Sequence, residues 1–238
     1  SDKTGIAAFA KRLVDDHGVE ILSTGGTARI LREADVPVTD VAEHTGAPEI
    51  MDGRVKTLHP KIHGGILGRR GIDDDVMTEQ AISPIDLVVV NLYPFEQTVA
   101  NPDTARDEAI ETIDIGGPAM LRAAAKNHAF VTLVVDAGDY EAVLADMREH
   151  ANATTQATRR RLAAKGFAHT AGYDQAIARY LSEQDSVEDA QADADMPDSY
   201  VATFRKRAAL RYGENPHQRA ALYAAAEPVA GSLVDAHV

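Results

Sequence analysis

Residues 85–92, Ile-Asp-Leu-Val-Val-Val-Asn-Leu, constrain the fold of this chain more than any other stretch. Its apolar residues run on without the polar alternation of a half-exposed strand, so both faces need a cover. Parallel sheets meet that need, because their crossover connections lay helices on either side. Pro94 ends the run, since proline has no N–H to give to a ladder. Asn91 and Tyr93 then fall at a strand's carboxyl end, where open α/β sheets collect their ligands. Tyr93 reads equally well as a half-buried packing residue with its hydroxyl in water.

The flanking segments alternate as such a sheet requires. Ile6, Phe9 and Leu13 space a helix that Gly18 stops. Strands are expected at Val19–Ser23, Val38–Val41 and Phe130–Val135, and helices at Ala28–Ala34, Asp73–Gln80, Thr104–Thr112, Ala119–Asn127 and Asp139–Arg148. Residues 42–52 read as irregular structure or a short helix, and Thr154–Leu181 as a long helix interrupted or bent near Gly166 and Gly172. This order predicts an α/β domain with a mostly parallel sheet. Residues 183–198 then carry seven carboxylates and no Lys or Arg, which reads as an acidic linker or exposed excursion. The turn-rich stretch 210–218 opens a second domain.

Two strand–turn–helix junctions carry paired glycines. Ser23-Thr24-Gly25-Gly26-Thr27 precedes a helix, and glycine there permits close backbone approach while free N–H groups and the helix dipole face an anion. Glycines that merely make the turn are the competing reading. Ile113-Asp114-Ile115-Gly116-Gly117-Pro118 is the second junction, with Pro118 suited to a first helical turn. Asp114, between two isoleucines, is a helix cap or a functional acid or base. Lys126, at the far end of that helix, matches the dipole there and has a plain surface reading as well.

The loop Gly53-Arg54-Val55-Lys56-Thr57-Leu58-His59-Pro60 concentrates cations in a chain of formal net charge −13. Arg54, Lys56 and the Thr57 hydroxyl between turn residues suit a phosphorylated or carboxylated ligand, or else a solvated surface loop. The acidic balance argues against general nucleic-acid binding. The chain has no cysteine, which excludes disulfides, thiol nucleophiles and Cys-ligated zinc and fits a reducing cytoplasm. His59 and His63 are broken by Pro60 and have no acidic ligand beside them, so no metal site is expected. No apolar run reaches the length of a membrane span.

Six motifs stand in one order along the chain: Ser-Asp-Lys-Thr-Gly (1–5), Ser-Thr-Gly-Gly-Thr-Ala (23–28), the 53–60 loop, Asn-Leu-Tyr-Pro-Phe (91–95), Ile-Asp-Ile-Gly-Gly (113–117) and Arg-Ala-Ala-Ala-Lys-Asn-His (122–128). Together they resemble the inosine monophosphate (IMP) cyclohydrolase domain of the bifunctional purine-biosynthesis enzymes. Leu-Arg-Tyr-Gly-Glu-Asn-Pro-His-Gln (210–218) resembles the start of their aminoimidazole-carboxamide ribonucleotide formyltransferase half. The resemblance implies an α/β, methylglyoxal-synthase-like three-layer domain. It divides the chain into a cyclohydrolase domain at 1–182 (core about 1–150), an acidic linker at 183–204 and an incomplete transferase domain at 205–238.

The implied reaction closes the six-membered purine ring of the formamido-imidazole-carboxamide ribonucleotide with loss of water, without metal or cofactor. The absent transferase half would use 10-formyltetrahydrofolate. Carried over by motif, Lys126, Asp114, Lys56 and Tyr93 fall on catalytic positions, with Lys126 on that of the proton donor/acceptor. Ser1, Asp2, Lys3, Thr24, Gly25, Gly26, Thr27, Arg54, Val55, Thr57, Val90, Asn91 and Ile115 fall on nucleotide-binding positions, and Arg211 and Tyr212 on transferase substrate positions. The resemblance also places a strand before Ser1 and the transferase's Lys-His segment after residue 238, so transferase activity is not expected here. It implies a homodimer, a purine nucleotide monophosphate as ligand, a cytoplasmic location, and no nucleic-acid or membrane partner. A regulatory ligand-binding module, as in carbamoyl phosphate synthetases, and a methylglyoxal synthase are the alternatives on the same fold. The 53–60 and 122–128 motifs favour the cyclohydrolase.

Overall fold

The computed structural model describes residues 2–188 and 201–225. Ser1, the acidic stretch from residue 189, and residues 226–238 of the expected second domain lie outside the described residues. The chain divides into two units, Ser1–Asp185 and Ser186–Val238.

In the first unit two parallel strand pairs carry the architecture. β1 (Leu22–Ser23) pairs with β2 (Thr39–Asp40), and β3 (Leu87–Val89) pairs with β4 (Thr132–Val134). The expected parallel pairing is thus present, as two two-stranded pairs among the described residues. The strands are shorter than the apolar runs that announced them. Residues beside them continue in extended form, as where the Val90 N–H reaches the Val134 carbonyl at 3.0 Å.

Both faces of β3–β4 are covered, as the unbroken apolar run requires. Val88 and Leu133, partners in register, pack with Ile62 and Ile66 of α4 (Pro60–Leu67) and Leu121 and Ala124 of α8 (Gly116–Lys126). Leu87, Val89 and Val134 face the other way, onto Phe9 and Leu13 of α1 (Ile6–His17) and Val143 and Leu144 of α9 (Tyr140–Glu149). The result is helix, sheet, helix, three layers with an apolar interface on each side. α2 (Gly25–Glu33) adds a smaller cluster in which Leu31 meets Ala10 and Val36.

Short helices fill the connections: α3 (Val41–Thr45), α5 (Asp74–Glu79), α6 (Phe95–Val99) and α7 (Arg106–Glu111). α4 starts at Pro60, the turn residue that closes the 53–60 loop. His59 caps it, its Nδ1 accepting the Lys61 N–H at 3.2 Å, and Pro60 takes the first turn. The glycines inside α4 serve packing, because a methyl on Gly65 would lie 2.6 Å from the Ser83 carbonyl oxygen.

α10 (Gln156–Glu188) corrects two expectations. It is continuous through Gly166 and Gly172, and it runs past residue 182 into the stretch read as linker. No Gly or Pro follows Gly172 up to Glu188, so nothing local stops the helix. At Gly166 the missing side chain admits Leu133 of β4, and a methyl there would also lie 3.2 Å from Leu121. Lys165 fixes the same turn by donating to Asp136 at 2.9 Å and Asp139 at 2.5 Å.

The second unit holds an antiparallel pair the sequence did not announce, β5 (Phe204–Leu210) with β6 (Ala220–Ala225). The 210–218 motif joins them. Its turn is closed by the Gly213 N–H on the Gln218 carbonyl (2.9 Å) and the Asn215 N–H on the Gln218 side chain (2.9 Å). Arg211 and Tyr212 sit exposed at the start of this turn.

Candidate functional site

Two helix N-termini and the chain between them define the site. At the first, Thr24 is extended and Gly25 takes φ +48°, a left-handed value that suits glycine as β1 turns into α2. No side chain caps this helix, so its leading N–H groups are open to a ligand. The Lys3 ammonium lies over the turn, 3.8 Å from where a methyl on Gly26 would stand. A cation beside uncapped N–H groups at a helix N-terminus is a cradle for a phosphate or carboxylate.

Asn91 links this cradle to the second N-terminus. Its Nδ2 donates to the Asp2 carbonyl at 3.3 Å, and the next residue, Leu92, lies against Gly117 in α8. Asp114 caps α8, with Oδ1 accepting the Gly117 N–H at 2.9 Å. The two readings of Asp114 are compatible, since the cap engages Oδ1 and Oδ2 remains for another donor. Thr57 closes the other side, its hydroxyl 2.6 Å from where a methyl on Gly116 would stand.

The 53–60 loop owes its shape to strained backbone. Ile50 and Val55 pair in an antiparallel bridge. Met51, Asp52 and Gly53 all take positive φ, at 55°, 52° and 85°. The left-handed conformation at Met51 costs of order 1 kcal/mol and is sustained by the bridge. Arg54 is held by Glu111 at 3.4 Å, and Lys56 faces Glu49 at 3.9 Å. These carboxylates keep both cations near the site without burying them.

Lys3, Gly25, Gly26, Thr57, Asn91 and Asp114 therefore form one row, with Asp2 contributing its backbone and Thr24 and Thr27 flanking the glycines. Val55 and Val90 serve through their backbones in the bridge and beside β4. Ile115 is exposed ahead of Gly116, and Tyr93 is half exposed just past Asn91. Lys126 does not join them. It ends α8, while Asp114 stands before the helix begins, so about 15 Å of helix axis separates the two ends. Lys126 instead lines a cavity of about 560 Å³ with His63, Arg122 and His128. Burial pushes the His63 imidazole's pKa below its usual value.

Tyr173 of α10 is a site residue that sequence reasoning missed. Its hydroxyl accepts the Asp114 N–H at 2.8 Å and lies 3.5 Å from the Thr112 carbonyl, while its ring meets Phe95 edge-on. Burial raises its pKa, opposed by the Asp114 N–H, so it stays a neutral phenol. Glu49 and Glu111 were missed for the same reason, as their cations are partners only in three dimensions.

The model of an MGS-like domain matches residues 5–119, and that of the AICARFT/IMPCHase bienzyme matches residues 124–237. Among solved structures, that titled "Crystal structure of ForH" is 38% identical with a TM-score of 0.66, over 75% of this chain and 93% of that one. No helix among the described residues is long and apolar enough to cross a membrane.

Proposed function

Because this chain belongs to the AICARFT/IMPCHase bienzyme family of purine biosynthesis and carries its MGS-like domain, we propose that it is an IMP cyclohydrolase. The observation that carries this reading is the row from the Lys3–Gly26 cradle to Asp114. It offers a phosphate seat at one end and a carboxylate beside a helix N-terminus at the other.

In this reading the ribonucleotide's phosphate takes the α2 N-terminus, with Lys3, Thr24 and Thr27 around it. The carboxamide and formamide groups lie at the α8 N-terminus. The amide nitrogen is a poor nucleophile, and Asp114 Oδ2 draws off its proton as the nitrogen bonds to the formyl carbon. Charge grows on the formyl oxygen, and Lys56, Thr57 and Asn91 serve as its donors, with Arg54 and Tyr93 beside them. That oxygen then leaves as water with two protons, one taken from the attacking amide nitrogen and one given up by the former formamide nitrogen as its C=N bond forms. A second proton carrier serves the oxygen, and Lys126 has the chemistry for it. The seat is a cyclohydrolase domain spanning 1–182 that needs no metal or cofactor. Residues 205–238, with Arg211 and Tyr212, begin a transferase domain that would use 10-formyltetrahydrofolate.

The test is absorbance on adding the formylated carboxamide ribonucleotide without metal or folate. Saturable formation of IMP is the expected result. No product, together with turnover of dihydroxyacetone phosphate, would overturn the reading in favour of a methylglyoxal synthase.

A further inference from the structure

Resting on the cyclohydrolase reading, we infer that Glu49 is a positioning residue of the reaction. It sets the Lys56 ammonium against the charge that grows on the formyl oxygen, without taking the hydrogen bonds that the ammonium has to give. Register brings the two together. Ile50 and Val55 face each other in the antiparallel bridge, each N–H giving to the other's carbonyl, at 3.2 and 3.4 Å. The residues one step outward, Glu49 and Lys56, therefore stand opposite as well and share the other face of the hairpin.

Gly53 makes room for the pair. It takes φ +85°, and a methyl there would collide with the Glu49 carboxylate and stand 3.7 Å from Lys56 Nζ. The carboxylate thus lies over bare backbone with the ammonium beside it. At 3.9 Å the pair is too long for a hydrogen bond, so the ammonium keeps its N–H donors for a ligand. The Lys56 and Glu49 side chains are 35% and 46% exposed, and an exposed pair of this kind adds little to stability. What it supplies is direction. A free lysine stem spreads its ammonium over many rotamers. A donor already aimed where charge develops needs no reordering at the moment of reaction.

The backbone on either side of Lys56 is tied down by other contacts. Thr57 is buried, with its hydroxyl against Gly116 at the opening of α8. Arg54, two residues before Lys56, is held by Glu111, three residues before Asp114. Both ties run to the segment that carries the carboxylate base. The direction of the lysine stem is the freedom that remains, and Glu49 is the carboxylate within ion-pair range of it among the described residues.

Two substitutions at position 49 test the role. Gln fills the space of Glu without its charge, and Asp keeps the charge on a shorter stem. E49Q should lower kcat about tenfold, with KM and melting temperature nearly unchanged. E49D should recover most of that loss. A side chain that only filled the hairpin would show the reverse order, Gln tolerated better than Asp, and that result would overturn the assignment. K56A should cost more than E49Q, and E49Q added to K56A should cost nothing further, because Glu49 acts through the ammonium. Losses that multiply would overturn it too. A last measurement does not depend on turnover. The ε-methylene protons of Lys56, assigned by their loss in K56A, should be inequivalent by NMR in the wild type and merge in E49Q. Inequivalence that survives in E49Q counts against the contact. A wild type that forms no IMP yet shows this merging would reject the cyclohydrolase reading and keep the contact. An active wild type matched in kcat by E49Q would keep the reading and reject the positioning role.

Discussion

Two helices in this protein open on Gly-Gly, and their N-termini are built in opposite ways. At α2 nothing lies within 4 Å of a methyl placed on Gly25, and only the flexible end of Lys3 approaches one on Gly26. At α8 a methyl on Gly116 meets Thr57, and one on Gly117 meets both Asp114 and Leu92. The first pair of glycines leaves room for a ligand. The second leaves room for the protein's own side chains, which close over the backbone and aim a carboxylate outward. The same dipeptide thus makes a seat in one place and a clamp in the other.

Substitutions separate seat from clamp. Asp114→Asn keeps a capping oxygen but removes the base. Turnover should fall at least about 100-fold with little change in melting temperature, and a loss of less than about tenfold would deny Asp114 its proton transfer. Gly117→Ala should unsettle the clamp itself. The new methyl displaces Asp114 or Leu92 at a cost of about 1–3 kcal/mol, read as a lowered denaturation midpoint alongside lost turnover. Gly26→Ala should do the reverse. Its methyl makes only ordinary contacts with Lys3, so stability holds, while a nucleotide monophosphate binds about tenfold more weakly by calorimetry. Equal stability losses at Gly26 and Gly117 would erase the contrast.

A smaller effect is expected at Tyr173→Phe, which keeps the ring on Phe95 and removes the acceptor of the Asp114 N–H. About 1 kcal/mol of stability goes, with a lower kcat at nearly unchanged KM. A change in KM alone would mark Tyr173 as a binding residue. The smallest effect lies away from the site. Hydrogen bonds from Arg69 hold the Asp73 carboxyl at about 2, below its usual value of 3.8. A depressed carboxylate contributes stability above its unfolded pKa and loses it as pH falls toward the folded one. Asp73→Asn should therefore lower stability slightly at neutral pH and flatten the profile between about pH 4 and 2, so that the two proteins converge in acid.

The order of strands and helices was legible because apolar spacing records which faces are buried. The residues 85–92 run foretold both layers around β3. Glycine was the misleading letter. Gly166 read as an interruption or bend, yet it sits inside a helix where a neighbour presses close, as Gly64 and Gly65 do in α4. Turn and close contact ask for the same residue, and only the fold tells them apart. The polar row was legible as local motifs, but its supports were not. Tyr173 lies far along the chain from Asp114, and Glu111 far from Arg54, so no local spacing announces either pair. The distance between Asp114 and Lys126 was hidden for the opposite reason. Their closeness in sequence is spent along the axis of a straight helix.

Gly166 gives that hidden geometry a further consequence. It lies on α10 about two turns before Tyr173, and it lets the helix backbone rest directly on Leu133 in β4. A rigid helix pivoted at such a point behaves as a lever. Any side chain at Gly166 would lift the arm and carry the Tyr173 hydroxyl away from the Asp114 amide. The fit of one core leucine against a bare stretch of backbone is thereby transmitted to the alignment of a carboxylate, which makes Gly166 part of the site's tuning although no ligand would ever meet it.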